Sequence, residues 1–69
     1  SFGYADSVVI LSKNTALADA VATATCNRVQ SKDDLPAALD FAKSITGILG
    51  VIIIIKKYLI SWGKIEFSG

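Results

Sequence analysis

Gly50-Val51-Ile52-Ile53-Ile54-Ile55 constrains the fold more than any other stretch. Four consecutive isoleucines crowd a helical turn, where a branched Cβ loses rotamer freedom, but they suit a pleated sheet. The run predicts a strand over 50–55. Lys56-Lys57-Tyr58 reads as the turn that follows, and 59–67 as the returning strand. The end of that strand alternates, with Ile65 and Phe67 on one face and Lys64 and Glu66 on the other. Gly63 within it predicts a bulge or bend. The tract from Ile45 to Ile55 is apolar apart from Thr46, yet its eleven residues fall well short of the ~20 a spanning helix needs. Gly47, Gly50 and the Lys56-Lys57 pair also argue against one continuous helix, so no membrane span is expected.

Upstream, Tyr4 to Lys13 reads as a first strand. Its centre, Ser7-Val8-Val9-Ile10-Leu11, has the short apolar pattern of a strand covered on both faces. Asn14 or Thr15 can cap the next helix, because a short side-chain oxygen accepts an otherwise orphaned N–H. That helix is predicted over 15–29. Leu17, Val21, Ala24 or Thr25, and Arg28 form one stripe, and Ala18, Ala22, Thr25 and Val29 the next. A helix that is small or apolar around most of its girth is expected to be buried on more than one side. Arg28 near its end complements the helix dipole. Gln30-Ser31-Lys32 is a polar connection, and a second helix starts at Asp33-Asp34-Leu35-Pro36, where acids and proline suit the first turn. Leu35, Ala38, Leu39, Ala42 and Ile45 give it an apolar face, and Gly47 is the expected stop. The order strand, helix, helix, strand, strand predicts a two-layer α+β fold, with both helices laid across one face of an antiparallel sheet. The first strand pairs either with the last two or with a sheet formed elsewhere.

The chain has 69 residues, of which 52% are apolar. One small core at this length is marginal without covalent or metal staples. A single cysteine and no histidine leave no intrachain disulfide, no Cys/His zinc set and no Cys–His nucleophile. A lone free thiol suits a reducing compartment, so the expected location is cytoplasmic. Seven basic and six acidic residues nearly cancel, which gives no reason to expect nucleic acid as a partner. So high an apolar fraction implies packing against something outside this sequence. The opening Ser1-Phe2-Gly3-Tyr4, with no initiator methionine and no signal-peptide pattern, leads us to read residues 1–69 as the C-terminal portion of a longer protein. The expected partners are the upstream part of that protein and further copies in a homo-oligomer.

The candidate chemistry lies in the alanine-rich stretch from Ala16 to Asn27. Its five alanines would let a ligand or another backbone come close. Asp19 and Thr23 stand four residues apart, hence one turn apart on one helical face. A carboxylate and a hydroxyl so placed can hold a hard cation, or can simply be structural. As a buried acid, Asp19 would need a partner such as Thr23. Thr23 in mid-helix would ordinarily back-bond to the carbonyl four residues earlier.

Tyr4-Ala5-Asp6-Ser7-Val8-Val9 and Ala18-Asp19-Ala20-Val21-Ala22-Thr23-Ala24 resemble the C-terminal part of the ApbE-like superfamily, whose characterised members are flavin transferases. Gly50-Val51-Ile52-Ile53-Ile54 and Trp62-Gly63-Lys64-Ile65-Glu66 fit its closing hairpin. The likeness covers most of the chain and is greatest to an uncharacterised archaeal and bacterial branch. It implies that residues 1–69 are part of a larger ApbE-like, T-fold-like domain. It further implies that Asp19 and Thr23 help bind Mg2+ beside the diphosphate of FAD, in an activity that moves FMN onto a threonine or serine of an acceptor protein. The family's flavin-gripping residues mostly lie upstream of this portion. The alternative is a non-catalytic structural or oligomerisation module of the same fold.

Overall fold

The computed structural model describes residues 5–65. Strand β1 (Ser7–Ser12) leads into helix α1 (Thr15–Cys26). A short 3-10 turn over Lys32–Asp34 precedes helix α2 (Leu35–Lys43), and strands β2 (Ile48–Ile55) and β3 (Tyr58–Gly63) close the described chain. The sheet is antiparallel in the order β1-β2-β3, so the isoleucine strand is central. The first strand therefore pairs with the isoleucine strand within this chain, Ser7 opposite Ile54 and Ile10 opposite Val51. The two-layer α+β arrangement read from the sequence is the one observed.

Alternation along β2 explains the layering. Val51, Ile53 and Ile55 are buried and join one core with Val21 of α1, Val29 beyond it, and Leu35, Ala38, Leu39 and Ala42 of α2. Helix α1 packs on β1, and α2 packs on β2 and β3. Ile53 is fully buried; enclosing a side chain of that size contributes about 1.5–3 kcal/mol. No helix among the described residues is long and apolar enough to cross a membrane.

The strand edges differ from expectation. The first strand is not covered on both faces: Val9 is 47% and Leu11 42% exposed, because the helices reach only the face that carries Val8 and Ile10. Val9, Ile52 and Ser61 stand in register on the outer face, as do Ser7, Ile54 and Leu59. Leu59 is 52% exposed there. Glu66 and Phe67 of the expected returning strand, and Tyr4 of the first, lie outside the described residues.

Gly63 ends β3 rather than bending its middle. Its φ of +92° lies in the left-handed region, and a Cβ built there would stand 2.2 Å from the Leu49 carbonyl oxygen. Leu49 is the extra residue where the β1–β2 register shifts, since Leu11 faces Gly50 and Ser12 faces Ile48. Its carbonyl accepts the Lys64 N–H at 2.9 Å. Only glycine fits against that bulge without strain.

The helices are shorter than their sequence periods suggest. The Asn14 side chain accepts the Leu17 N–H at 3.0 Å and starts α1. The helix stops at Cys26 with Asn27 as its cap, and Val29 reaches the core from the loop instead. Ser31 and Asp34 form a reciprocal capping box around the 3-10 turn, so α2 proper starts at Leu35, with Pro36 in its first turn. Ser44 caps α2, its hydroxyl donating to the Phe41 carbonyl at 2.8 Å. Gly47, at φ +98°, serves the turn into β2.

Candidate functional site

Helix α1 sets Asp19 and Thr23 on its outer side. Ala16, Asp19, Ala20 and Thr23 are all exposed, whereas Val21 and Thr25 are buried. The expectation of an acid buried in an alanine-lined helix is thus corrected. Positions 16, 19, 20 and 23 share one face, and two of them are alanines that need no burial. The Thr23 hydroxyl donates to the Asp19 carbonyl at 3.1 Å, the back-bond a helical threonine ordinarily makes. With its proton committed to the helix, its lone pairs remain available. No hydrogen bond or ion pair among the described residues engages the Asp19 carboxylate. No group of three metal-ligating His, Cys, Asp or Glu side chains occurs among the described residues. This chain's contribution to a cation would therefore be two hard oxygens, which suits magnesium's habit of taking few protein ligands beside phosphate.

Asp6 is structural. Its carboxylate accepts the backbone N–H of Lys56, and its own N–H donates to the Ile54 carbonyl at 2.8 Å. It pins the turn between β2 and β3, where Lys56 has a left-handed φ of +54°. Cys26 is half-buried, with its thiol 3.6 Å from the Ala5 carbonyl. Thr25 is fully buried, and its hydroxyl has no hydrogen-bond partner among the described residues.

Two clefts lie away from Asp19 and Thr23. One, of about 580 Å³, runs between the end of α1 and α2, past Asn27, Arg28 and Phe41. There the Arg28 guanidinium stacks 3.7 Å from the Phe41 ring centre rather than serving the helix end. The other, of about 550 Å³, opens between the loop 30–33 and the hairpin turn, with Ile55 and Tyr58 in its lining. The sequence reading took Lys56 and Lys57 as a solvated turn. They are exposed, and they also line this second cleft with Lys32. That grouping joins two segments far apart in sequence, and no local motif announces it.

The family model described as AbpE bacteria matches residues 1–67. The chain is 45% identical over 65 residues to a UPF0280 protein of Methanoculleus marisnigri. It is 41% identical over 66 residues to one of Methanosarcina acetivorans, and 37% over 65 residues to one of Methanocella arvoryzae. Each match covers 94% of this chain and 26% of the relative, so the chain spans about a quarter of the length of these curated relatives. No solved structure matches the chain.

Proposed function

Because the chain belongs to the AbpE bacteria family, we propose that it forms one wall of a larger flavin-handling domain, with Asp19 and Thr23 as its contribution to a magnesium site beside FAD. The observation that carries this reading is the outward, one-turn alignment of a carboxylate that has no partner among the described residues and a hydroxyl whose proton is already used. A magnesium ion held there would offset phosphate charge during transfer of FMN to an acceptor protein. The chain's own part is positional. The rigid helix fixes the spacing of the two oxygens, and Ala16 and Ala20 leave room beside them for a large ligand. The remaining contacts would come from the upstream part of the protein or from a second copy. The name UPF0280 protein, borne by these relatives, states no activity, so the flavin chemistry rests on the resemblance of the alanine-rich helix to flavin transferases.

The test uses the full-length protein. FAD is titrated with and without Mg2+, and AMP release and flavin attachment to a candidate acceptor are followed. Asp19→Ala is expected to abolish the magnesium dependence of FAD binding. Exposed as it is, the substitution should leave stability within about 0.5 kcal/mol of the parent. Wild-type protein that binds no FAD with magnesium present would end the proposal.

One observation favours a second reading, a non-catalytic structural or oligomerisation module. The sheet face opposite the helices carries Val9, Leu11 and Leu59, each more than 40% exposed, beside Ile52 and Ile54. Apolar surface of this kind marks a packing face. Under this reading Asp19→Ala leaves metal and flavin binding unchanged, and polar substitutions at Val9 and Leu59 shift the oligomeric state.

A further inference from the structure

The cleft between the loop 30–33 and the hairpin turn is independent of Asp19 and Thr23. Each wall is held by a carboxylate. Asp34 accepts the Gln30 and Ser31 backbone N–H groups at 2.8 and 3.3 Å, fixing the loop. Asp6 accepts the Lys56 N–H, fixing the turn. Buried Ile55 closes the space between them. The walls are thus in place before any ligand arrives, and a volume of about 550 Å³ falls within the range of small-molecule sites.

Among the side chains that line the cleft basic groups predominate, while the wall-holding carboxylates of Asp34 and Asp6 are engaged with backbone N–H groups. Three of the seven basic residues of the sequence line it, against a single acid, Asp33. Lys32 is 3.7 Å from Asp33 in an exposed pair, and no acidic side chain among the described residues pairs with Lys56 or Lys57. The Lys32 and Lys57 ammonium groups instead lie 5.3 and 5.9 Å from the centre of the Tyr58 ring. An exposed cation–π contact is weaker than a charge-assisted hydrogen bond to phosphate. Both lysines would therefore leave the ring for an arriving dianion, and would uncover an aromatic surface next to it.

We propose that this cleft binds a nucleoside phosphate, with the phosphate held by Lys32, Lys56 and Lys57 and the base stacked on Tyr58. The lysines supply charge without reading the base, and Tyr58 supplies a flat surface that every base can use. The site is accordingly general for nucleotides rather than selective for one base. Selection between a nucleotide and a bare phosphate rests on Tyr58 and Ile55.

The test is calorimetric titration of the full-length protein with each common ribonucleoside monophosphate, with inorganic phosphate, and with the nucleosides. The expected result is saturable nucleotide binding that weakens as salt rises, weaker inorganic phosphate binding, and the weakest binding for nucleosides. Lys32→Ala and Lys57→Ala together should weaken nucleotide and phosphate binding at least tenfold. Tyr58→Leu should weaken nucleotide binding several-fold and leave inorganic phosphate unchanged. These side chains are exposed, and circular dichroism checks whether each variant is folded. The titrations are made in EDTA, which removes any contribution of a magnesium site at Asp19 and Thr23. Absence of nucleotide binding at millimolar concentration, or binding indifferent to the lysine substitutions, overturns the proposal. Equal affinity for inorganic phosphate and nucleotides overturns its aromatic half.

Discussion

Replacing Thr25 by valine should make the protein more stable. Thr25 is fully buried, and its hydroxyl has no partner among the described residues. A hydroxyl taken from water without a compensating hydrogen bond costs about 1–3 kcal/mol in protein mutational data. Valine has nearly the same shape, the same branching at Cβ and a similar helix propensity, so the backbone of α1 has no reason to move. The added methyl lies in the core region that holds Val21 and Val29 and contributes by burial. The expected gain is about 1–3 kcal/mol, read by urea unfolding as a higher midpoint at constant slope. Thr25→Ser is the control. It keeps the hydroxyl and removes the methyl, and it should lose about 0.5–1.5 kcal/mol, as other deletions of one buried methyl do. A valine variant less stable than the parent would refute the reasoning, because it would mean that the hydroxyl is satisfied in solution.

Two further substitutions probe the frame. Gly63→Ala places a methyl against the Leu49 carbonyl at a left-handed φ; backbone strain alone costs about 1–3 kcal/mol, and loss of amide protection at the Lys64 N–H, by hydrogen exchange, would locate the damage at the bulge. Asn14→Ala removes the acceptor for the Leu17 N–H and should cost about 0.5–2 kcal/mol, whereas Asn14→Asp, which keeps an acceptor oxygen, should stay close to the parent in the same unfolding assay.

The sequence announced the elements and their order because the signals were local and strong. Four isoleucines in a row, a capping asparagine and the Asp-Asp-Leu-Pro start each act within a few residues. The boundaries were harder to read. Val29 continues the helical stripe in sequence, yet it reaches the core from a loop, since burial and helicity are separate demands on one residue. Ser31 and Asp34 carry the spacing of a capping box, but that signal marks the start of the 3-10 turn at Lys32 and not that of α2 at Leu35. Of the candidate site, the alignment of Asp19 with Thr23 was legible from their spacing. The side they face was not, because alanines at 16, 18, 20, 22 and 24 tolerate core and solvent alike and so blur the helical period. The lysine cleft was invisible for another reason: it exists only once the hairpin turn stands opposite the loop 30–33.

The central place of β2 has a consequence for how the protein is made. Ser7 finds its partner at Ile54, so this pairing cannot form until both helices and most of the isoleucine run have left the ribosome. Pairing between such distant parts of a chain is entropically slow. Joining of β1 to β2 is therefore expected to lag behind the local contacts that form each helix and the β2–β3 hairpin.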